Sequence, residues 1–247
     1  RCIEHSLYGV DIDPGAVEIA KLRLWLSLVV DEDDIKNIKP LPNLDYKIVC
    51  GNSLLGVQKN IFNQKLFNDL EKLKPLFFSE TNPTKKQEHK KQINELISKI
   101  TNGHTEFDFD VYFSEIFHNK GGFDVVIANP PYLSALDFSR IYGSVLRKQL
   151  NNKYESAIGA YDYYILFIEK GLKLCNKIGL ITFINPNKYL AAKYAVGLRS
   201  WLLKNATINK IVDVSPIRVF EEAAVYPVVS LFQKGVYQSR VIDVLLP

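Results

Sequence analysis

Short apolar runs rich in β-branched and aromatic residues alternate with longer stretches of helical periodicity, and that alternation restricts the chain to an open α/β sheet. Ser6–Ile12 (SLYGVDI) reads as a buried strand. Asp13-Pro14 follows as a helix N-cap with proline at the first helical position, and Ile19, Leu22, Leu26 and Val29 recur at helical spacing. Residues 14–30 are therefore predicted to be a helix packed on a sheet. Tyr46–Cys50 and Phe123–Ala128 are two more strands, ended by Gly51 and by Pro130-Pro131. Residues 161–175 and 188–204 read as helices, and Ile178–Ile184, Ile208–Val214 and Val228–Phe232 as strands. Helices are expected on both faces of the sheet, and no internal repeat is present.

Residues 59–118 break this rhythm. LFNDLEKLKPLFF and TKKQEHKKQINELISKI are lysine-rich and helical in character, with no strand before Phe123. The segment is predicted to be a mostly helical insertion between two strands, and its composition favours a solvated arm over a catalytic element. Charge is uneven along the chain. Residues 1–128 carry 16 Lys and Arg against 19 Asp and Glu, whereas residues 129–247 carry 15 against 8. A cationic second half suits an anionic partner such as nucleic acid, although a solvated basic surface explains it as well. The 3 cysteines, Cys2, Cys50 and Cys175, are far apart and form no CxxC pair, which points to reduced thiols in a cytoplasm and to neither a disulfide framework nor a zinc site. No apolar run approaches the roughly 20 residues of a membrane helix. Methionine is absent, even at position 1, so Arg1 is expected to lie inside a longer polypeptide.

Ligands of open α/β sheets sit beyond the carboxyl ends of the strands, and three features fall there. The first is Asp11 in YGVDID, an acid placed to accept hydrogen bonds from both hydroxyls of a ribose. The glycine turn that accompanies such an acid normally precedes it by about 20 residues, so it and the first strand are expected ahead of Arg1. Asp13 competes for the role, but capping the helix is its more natural task. The second is Gly51-Asn52-Ser53, where a short polar residue can meet the amino group of an adenine, although the same triplet is an ordinary turn.

The third is Asn129-Pro130-Pro131-Tyr132. Two prolines stiffen the backbone and remove two amide donors, leaving carbonyls free to accept. The Asn129 oxygen and the Pro130 carbonyl then form a pair of acceptors for one NH₂ group. This suits a planar amine whose lone pair is delocalised, because holding both protons concentrates that lone pair on nitrogen. Tyr132 offers a flat face for stacking.

In order, YGVDIDPGAVEIAKLRLWLSL, GNSLLG, FDVVIANPPY, YDYYILFIEKGLKL, IGLITFINPNKYL and VFEEAAVYPVVSLFQKG resemble the blocks of adenine-N6 DNA methyltransferases, and in particular of large bacterial restriction–modification enzymes that fuse methyltransferase and endonuclease. The resemblance covers nearly all of the chain outside residues 59–118. It implies a Rossmann-like S-adenosylmethionine-dependent methyltransferase sheet lacking its first strand, so that residues 1–247 form a partial catalytic domain with a helical insertion at 59–118.

By position, the resemblance implies that Asp11 binds the ribose of S-adenosylmethionine. Asn52 stands where the family usually has aspartate at the cofactor's adenine amine, and retains an acceptor oxygen. Asn129, counted among the cofactor-binding residues as well, and Pro130 accept from the target amine, with Pro131 stiffening the turn. Tyr132 and Phe220 pack on the two faces of an adenine taken out of duplex DNA, which must leave the stack to be reached. No metal is implied.

The implied partners are double-stranded DNA and, in a parent chain, endonuclease and target-recognition domains; the implied location is the bacterial cytoplasm. Without the glycine turn, residues 1–247 alone are expected to bind the cofactor poorly and to show no turnover. Asn-Pro-Pro-Tyr is shared with enzymes that methylate a protein glutamine, so a glutamine or ribosomal-RNA methyltransferase is the alternative activity. A catalytically incomplete DNA-binding fragment is the alternative of another class.

Overall fold

The computed structural model describes residues 3, 6–30, 44, 46–57, 63–103, 106–217, 226–237 and 243–245. The chain divides into two compact units, Arg1–His118 and Asn119–Pro247.

In the first unit, β1 (Gly9–Asp11) pairs in parallel with β2 (Ile48–Cys50), Asp11 opposite Cys50. Helix α1 (Pro14–Val30) comes directly after β1. Its start is made by Asp13, whose carboxylate accepts the amides of Gly15 at 2.7 Å and Ala16 at 3.4 Å, satisfying donors that the first helical turn leaves unpaired. The helix forms where the periodicity places it, but a different stripe packs. Val17 is buried, with Ala20 and Leu24 beside it, against Leu44 and Ile48, whereas Ile19, Leu22 and Leu26 are exposed. The reason is that α1 is apolar around most of its circumference, so spacing alone cannot say which stripe meets the strands.

Residues 59–118, where described, are helical: α2 (Gln64–Ser79), α3 (Pro83–Ile100), α4 (Phe109–Tyr112) and α5 (Ser114–Lys120). Asn82 caps α3 by accepting from Thr84 and Lys85, and Pro83 follows at the first helical position. These helices are not a solvated arm. Phe67, Leu70 and Phe77 of α2, Ile93, Ile97 and Ile100 of α3, and Val111 of α4 form one buried cluster with Tyr46. The lysines that gave the segment its solvated look occupy the outer face, while the i, i+3, i+4 and i+7 positions are buried. Lys74 is the exception, fully buried, with its ammonium donating to the Tyr112 carbonyl and lying 3.2 Å from the Glu115 carboxylate.

The second unit holds a five-stranded sheet in the order β3-β4-β6-β5-β7: β3 (Phe123–Ala128), β4 (Cys175–Pro186), β5 (Ala206–Asp213), β6 (Pro227–Lys234) and β7 (Asp243–Leu245). β3 and β4 are parallel, as are β5 and β7, and β6 runs antiparallel to both of its neighbours. Helices α7 (Tyr164–Leu174) and α8 (Val196–Asn205) pack on the sheet, while α6 (Ala135–Lys153) follows β3 and is kinked at Gly143, where φ is 78°. Ile181 and Phe183 alternate inward on β4 opposite Phe232 and Ser230 of β6. Each large apolar side chain buried here contributes about 1.5–3 kcal/mol. Gly171 of α7 lies so close to the Phe183 ring that a methyl group there would sit 2.7 Å from it, which allows helix and sheet to meet. On the other face of β3, Val125 and Ile127 are exposed.

Candidate functional site

The expected site residues fall in both units. In the first, the parallel pairing of β1 with β2 brings Asp11 and the Gly51–Asn52 turn to adjacent strand ends, where the Gly51 amide donates to the Asp11 carbonyl at 2.8 Å. Asp11 is exposed, and its Oδ1 accepts the Asp13 amide at 2.8 Å. Among the described residues its other oxygen has no donor, so it is free for a diol. Asp13 is spent on the helix cap. A cavity of about 400 Å³ opens beside Asp11, lined by Tyr8, Gly9, Val10, Val17, Arg23 and Ile48 among others.

Asn52 is arranged differently from what its residue type suggests. Its Oδ1 accepts the amides of Leu54 at 3.0 Å and Leu55 at 3.2 Å, the geometry by which an asparagine closes its own turn. An amide oxygen has two lone pairs, so both are used, and the Nδ2 amine is what remains for a ligand. The donors on Leu54 and Leu55 also settle which way the amide points.

In the second unit, Asn129 is exposed beyond the end of β3 and Pro130 is buried. Tyr132 is half-buried, donating from its hydroxyl to the Ile184 carbonyl of β4 at 3.2 Å and standing edge-on to Tyr164 with ring centroids 6.5 Å apart. Burial pushes its phenol above the usual range, so the neutral form is held. Tyr164 continues the chain of contacts, its hydroxyl 3.2 Å from that of Tyr194, which donates to Asp162 at 2.6 Å. The Tyr163 amide donates to the Leu133 carbonyl at 2.9 Å, and its ring stacks on Phe138 at 4.4 Å. The cluster Tyr161-Asp162-Tyr163-Tyr164 at the start of α7 thus grips the residues immediately after Tyr132.

Sequence reasoning passed over these supports, although four consecutive aromatic or acidic residues at a helix start were a visible signal. It also passed over Asn185 and Tyr226. Asn185 is fully buried at the end of β4, with an Oδ1 that has no partner among the described residues. Tyr226 is 67% exposed at the same end of the sheet, its carbonyl accepting the Asn187 amide at 2.8 Å. Phe220 lies outside the described residues.

Both units carry their polar residues at the carboxyl ends of parallel strands, the layout of α/β proteins that bind nucleotides. Across its whole length this chain superposes, with a TM-score of 0.56 at 16% identity, on 18% of a nuclease-deletion mutant of the Type ISP restriction–modification enzyme LlaGI in complex with a DNA substrate mimic. The fold is mixed α/β, with helices flanking the sheet of the second unit.

Residues 5–220 match the family model of the Eco57I restriction–modification methylases, and the chain belongs to that family. It is 25% identical over 223 residues to the type II restriction enzyme and methyltransferase RM.Eco57I of Escherichia coli, covering 89% of this chain and 18% of that protein. It is 26% identical over 121 residues to the type II methyltransferase M.BstVI of Geobacillus stearothermophilus, covering 49% and 21%. The chain spans between 18% and 25% of the first curated relatives it matches. The methyl donor that the sequence resemblance implies for such a methylase is S-adenosylmethionine. Asp11 fits that group, with an open carboxylate oxygen for the ribose, and Asn52 fits it with donors for the base. Among the described residues no helix is long and apolar enough to cross a membrane.

Proposed function

We propose that this chain is part of the catalytic domain of an adenine-N6 DNA methyltransferase in a restriction–modification system. The observation that carries the reading is Asn129-Pro130-Pro131-Tyr132 at the end of β3, with Tyr132 held at both its hydroxyl and its ring. Bound S-adenosylmethionine supplies an electrophilic methyl group. This chain's residues do the rest. Asp11 accepts from the ribose hydroxyls. Asn52 donates through Nδ2 to a ring nitrogen of the cofactor's adenine; its oxygen, already taken by Leu54 and Leu55, does not accept from the adenine amine.

Asn129 Oδ1 and the Pro130 carbonyl accept both protons of the target amine. This disfavours donation of the nitrogen lone pair into the ring and leaves it available for attack. Pro131 limits the freedom of the turn, so the acceptors are placed before the base arrives. Tyr132 stacks on one face of the extruded base and Phe220 on the other. Duplex DNA is the proposed substrate, with endonuclease and target-recognition domains in the parent protein as its partners, and the bacterial cytoplasm as its location.

The test is methyl transfer from tritiated cofactor by the full-length protein, offered duplex DNA, RNA and a glutamine-containing protein in parallel. Label on N6 of adenine in DNA is the expected result. Label on glutamine or RNA overturns the reading in favour of another amide or amine acceptor, and no label on any substrate points to a DNA-binding module without turnover.

A further inference from the structure

The return limb of the insertion, residues 107–115, reaches both margins of the two-stranded sheet within the first unit. Its contact with the Gly51 turn is the tightest. A Cβ built on Gly51 would lie 2.3 Å from Cγ of Phe107 and 2.5 Å from its Cβ and Cδ2. The Phe107 ring therefore occupies the space where any other residue at position 51 would put its side chain. It is the root of the ring, not a flexible tip, that stands in the way. The ring is itself fixed, 4% exposed, stacked on Tyr112 at 5.0 Å and edge-on to Phe109 at 4.9 Å.

Two further ties flank this contact. Asp108 accepts the Val57 amide at 3.1 Å, beyond the Asn52 turn, and with its other oxygen caps α4 at the Asp110 amide. Tyr8, just before β1, meets Phe113 edge-on at 5.2 Å, and burial together with the nearby Glu115 carboxylate pushes its phenol up. Glu115 is in turn paired with buried Lys74. One short segment thus holds the approach to Asp11 and both ends of the turn that carries Asn52.

We infer that Phe107 is a positioning residue for cofactor binding. Pressed on Gly51, it sets where Asn52 stands relative to Asp11, and so couples the helical insertion to the cofactor's nucleoside half. The inference rests on the reading of Asp11 and Asn52 as cofactor contacts. A ring bearing on a bare backbone transmits position without chemistry of its own. Losing it frees the turn, whereas adding a methyl to Gly51 forces the turn away from the ring.

The test is a double-mutant cycle in the full-length protein, with S-adenosylhomocysteine affinity measured by calorimetry alongside turnover at saturating cofactor and thermal melting. Gly51→Ala is expected to weaken binding about tenfold or more, and Phe107→Ala by a few-fold, with turnover at saturation largely kept. Combined, the two should bind better than Gly51→Ala alone, because the alanine removes the ring atoms that meet the methyl and leaves only its own Cβ to shift. Phe107→Leu, which keeps the buried bulk and the Cβ and Cγ that meet Gly51, serves if the alanine variant melts too low to assay: it should keep affinity near wild type and give Gly51→Ala no relief, and relief there would overturn the inference.

Additive losses in the double variant overturn the inference. So does a recovery of melting temperature without recovery of affinity, which would make the contact structural only. Failure of the wild-type protein to bind S-adenosylhomocysteine overturns the cofactor reading and this inference together.

Discussion

The two strand ends that carry the polar residues are supported in opposite ways. In the first unit, Asp11 and Asn52 are held by backbone amides: Asp13 on one oxygen of Asp11, Leu54 and Leu55 on the oxygen of Asn52. In the second unit, prolines stiffen the chain at 130–131, and aromatic rings hold Tyr132 through Tyr164 and Tyr194. Amide ties consume acceptor capacity, so they change what a side chain can offer a ligand. Ring packing consumes none, and Asn129 is exposed with no partner for its side chain among the described residues. The residue type of Asn52 therefore overstates the acceptor capacity it has left for a ligand.

The largest effect should come from cutting the second unit's frame away from its helix. Glu169 is fully buried and accepts the amides of Glu155 at 3.1 Å and Ser156 at 2.7 Å, with Lys173 at 2.5 Å. Glu169→Ala strands these donors and should cost about 3–5 kcal/mol in a denaturant melt. A loss under about 1 kcal/mol would show that packing alone holds the turn before α7.

Asn129→Ala should leave that frame and cofactor affinity intact while lowering methyl transfer by about 10²–10³, the loss typical of removing one preorganised hydrogen-bonding group at the reacting centre. Rapid-quench transfer at saturating DNA reads this. Near-normal rates would mean that the open acceptor is not used.

The tyrosines of the second unit make a pH prediction. Burial raises Tyr189 and Tyr194 to about 12 and pushes Tyr154, Tyr163 and Tyr164 up as well. The unfolded chain ionises its phenols near 10, so from there upward it gives up protons that the folded state retains. Their stabilising effect is complete below pH 10 and is lost as pH rises from 10 through 12. Phenolate absorbance at 295 nm should rise together with the loss of helical circular dichroism. Ionisation of these tyrosines well before unfolding would contradict the packing description.

The smallest effect separates the two ways of reading Asn52. An S-adenosylhomocysteine analogue with carbon in place of N1 should bind about tenfold more weakly, the value of one lost hydrogen bond, and N6-methylation should matter less. Asn52→Asp, an acceptor without a donor, should invert that order. If wild type prefers intact N6 to intact N1, the asparagine oxygen is the contact after all.

The alternation of runs, the capping Asp13-Pro14, the end of β3 at the prolines and the order of the family blocks are all legible in the residues, because each depends on neighbours within a few positions. Spacing also made the insertion helical. What it could not say was which face of α1 or of α2 and α3 is buried, since an apolar stripe is equally regular whether or not another element meets it. Gly51 looked like a turn glycine from its sequence, and only folding showed that the space it leaves is filled by Phe107, 56 positions away in the numbering. The Asn52 oxygen is taken by amides only two and three positions on, so its occupancy was a local matter that the turn-like Gly-Asn-Ser already hinted at. Local propensity acts through covalent neighbours, whereas burial and close packing depend on partners that only the folded chain brings within reach.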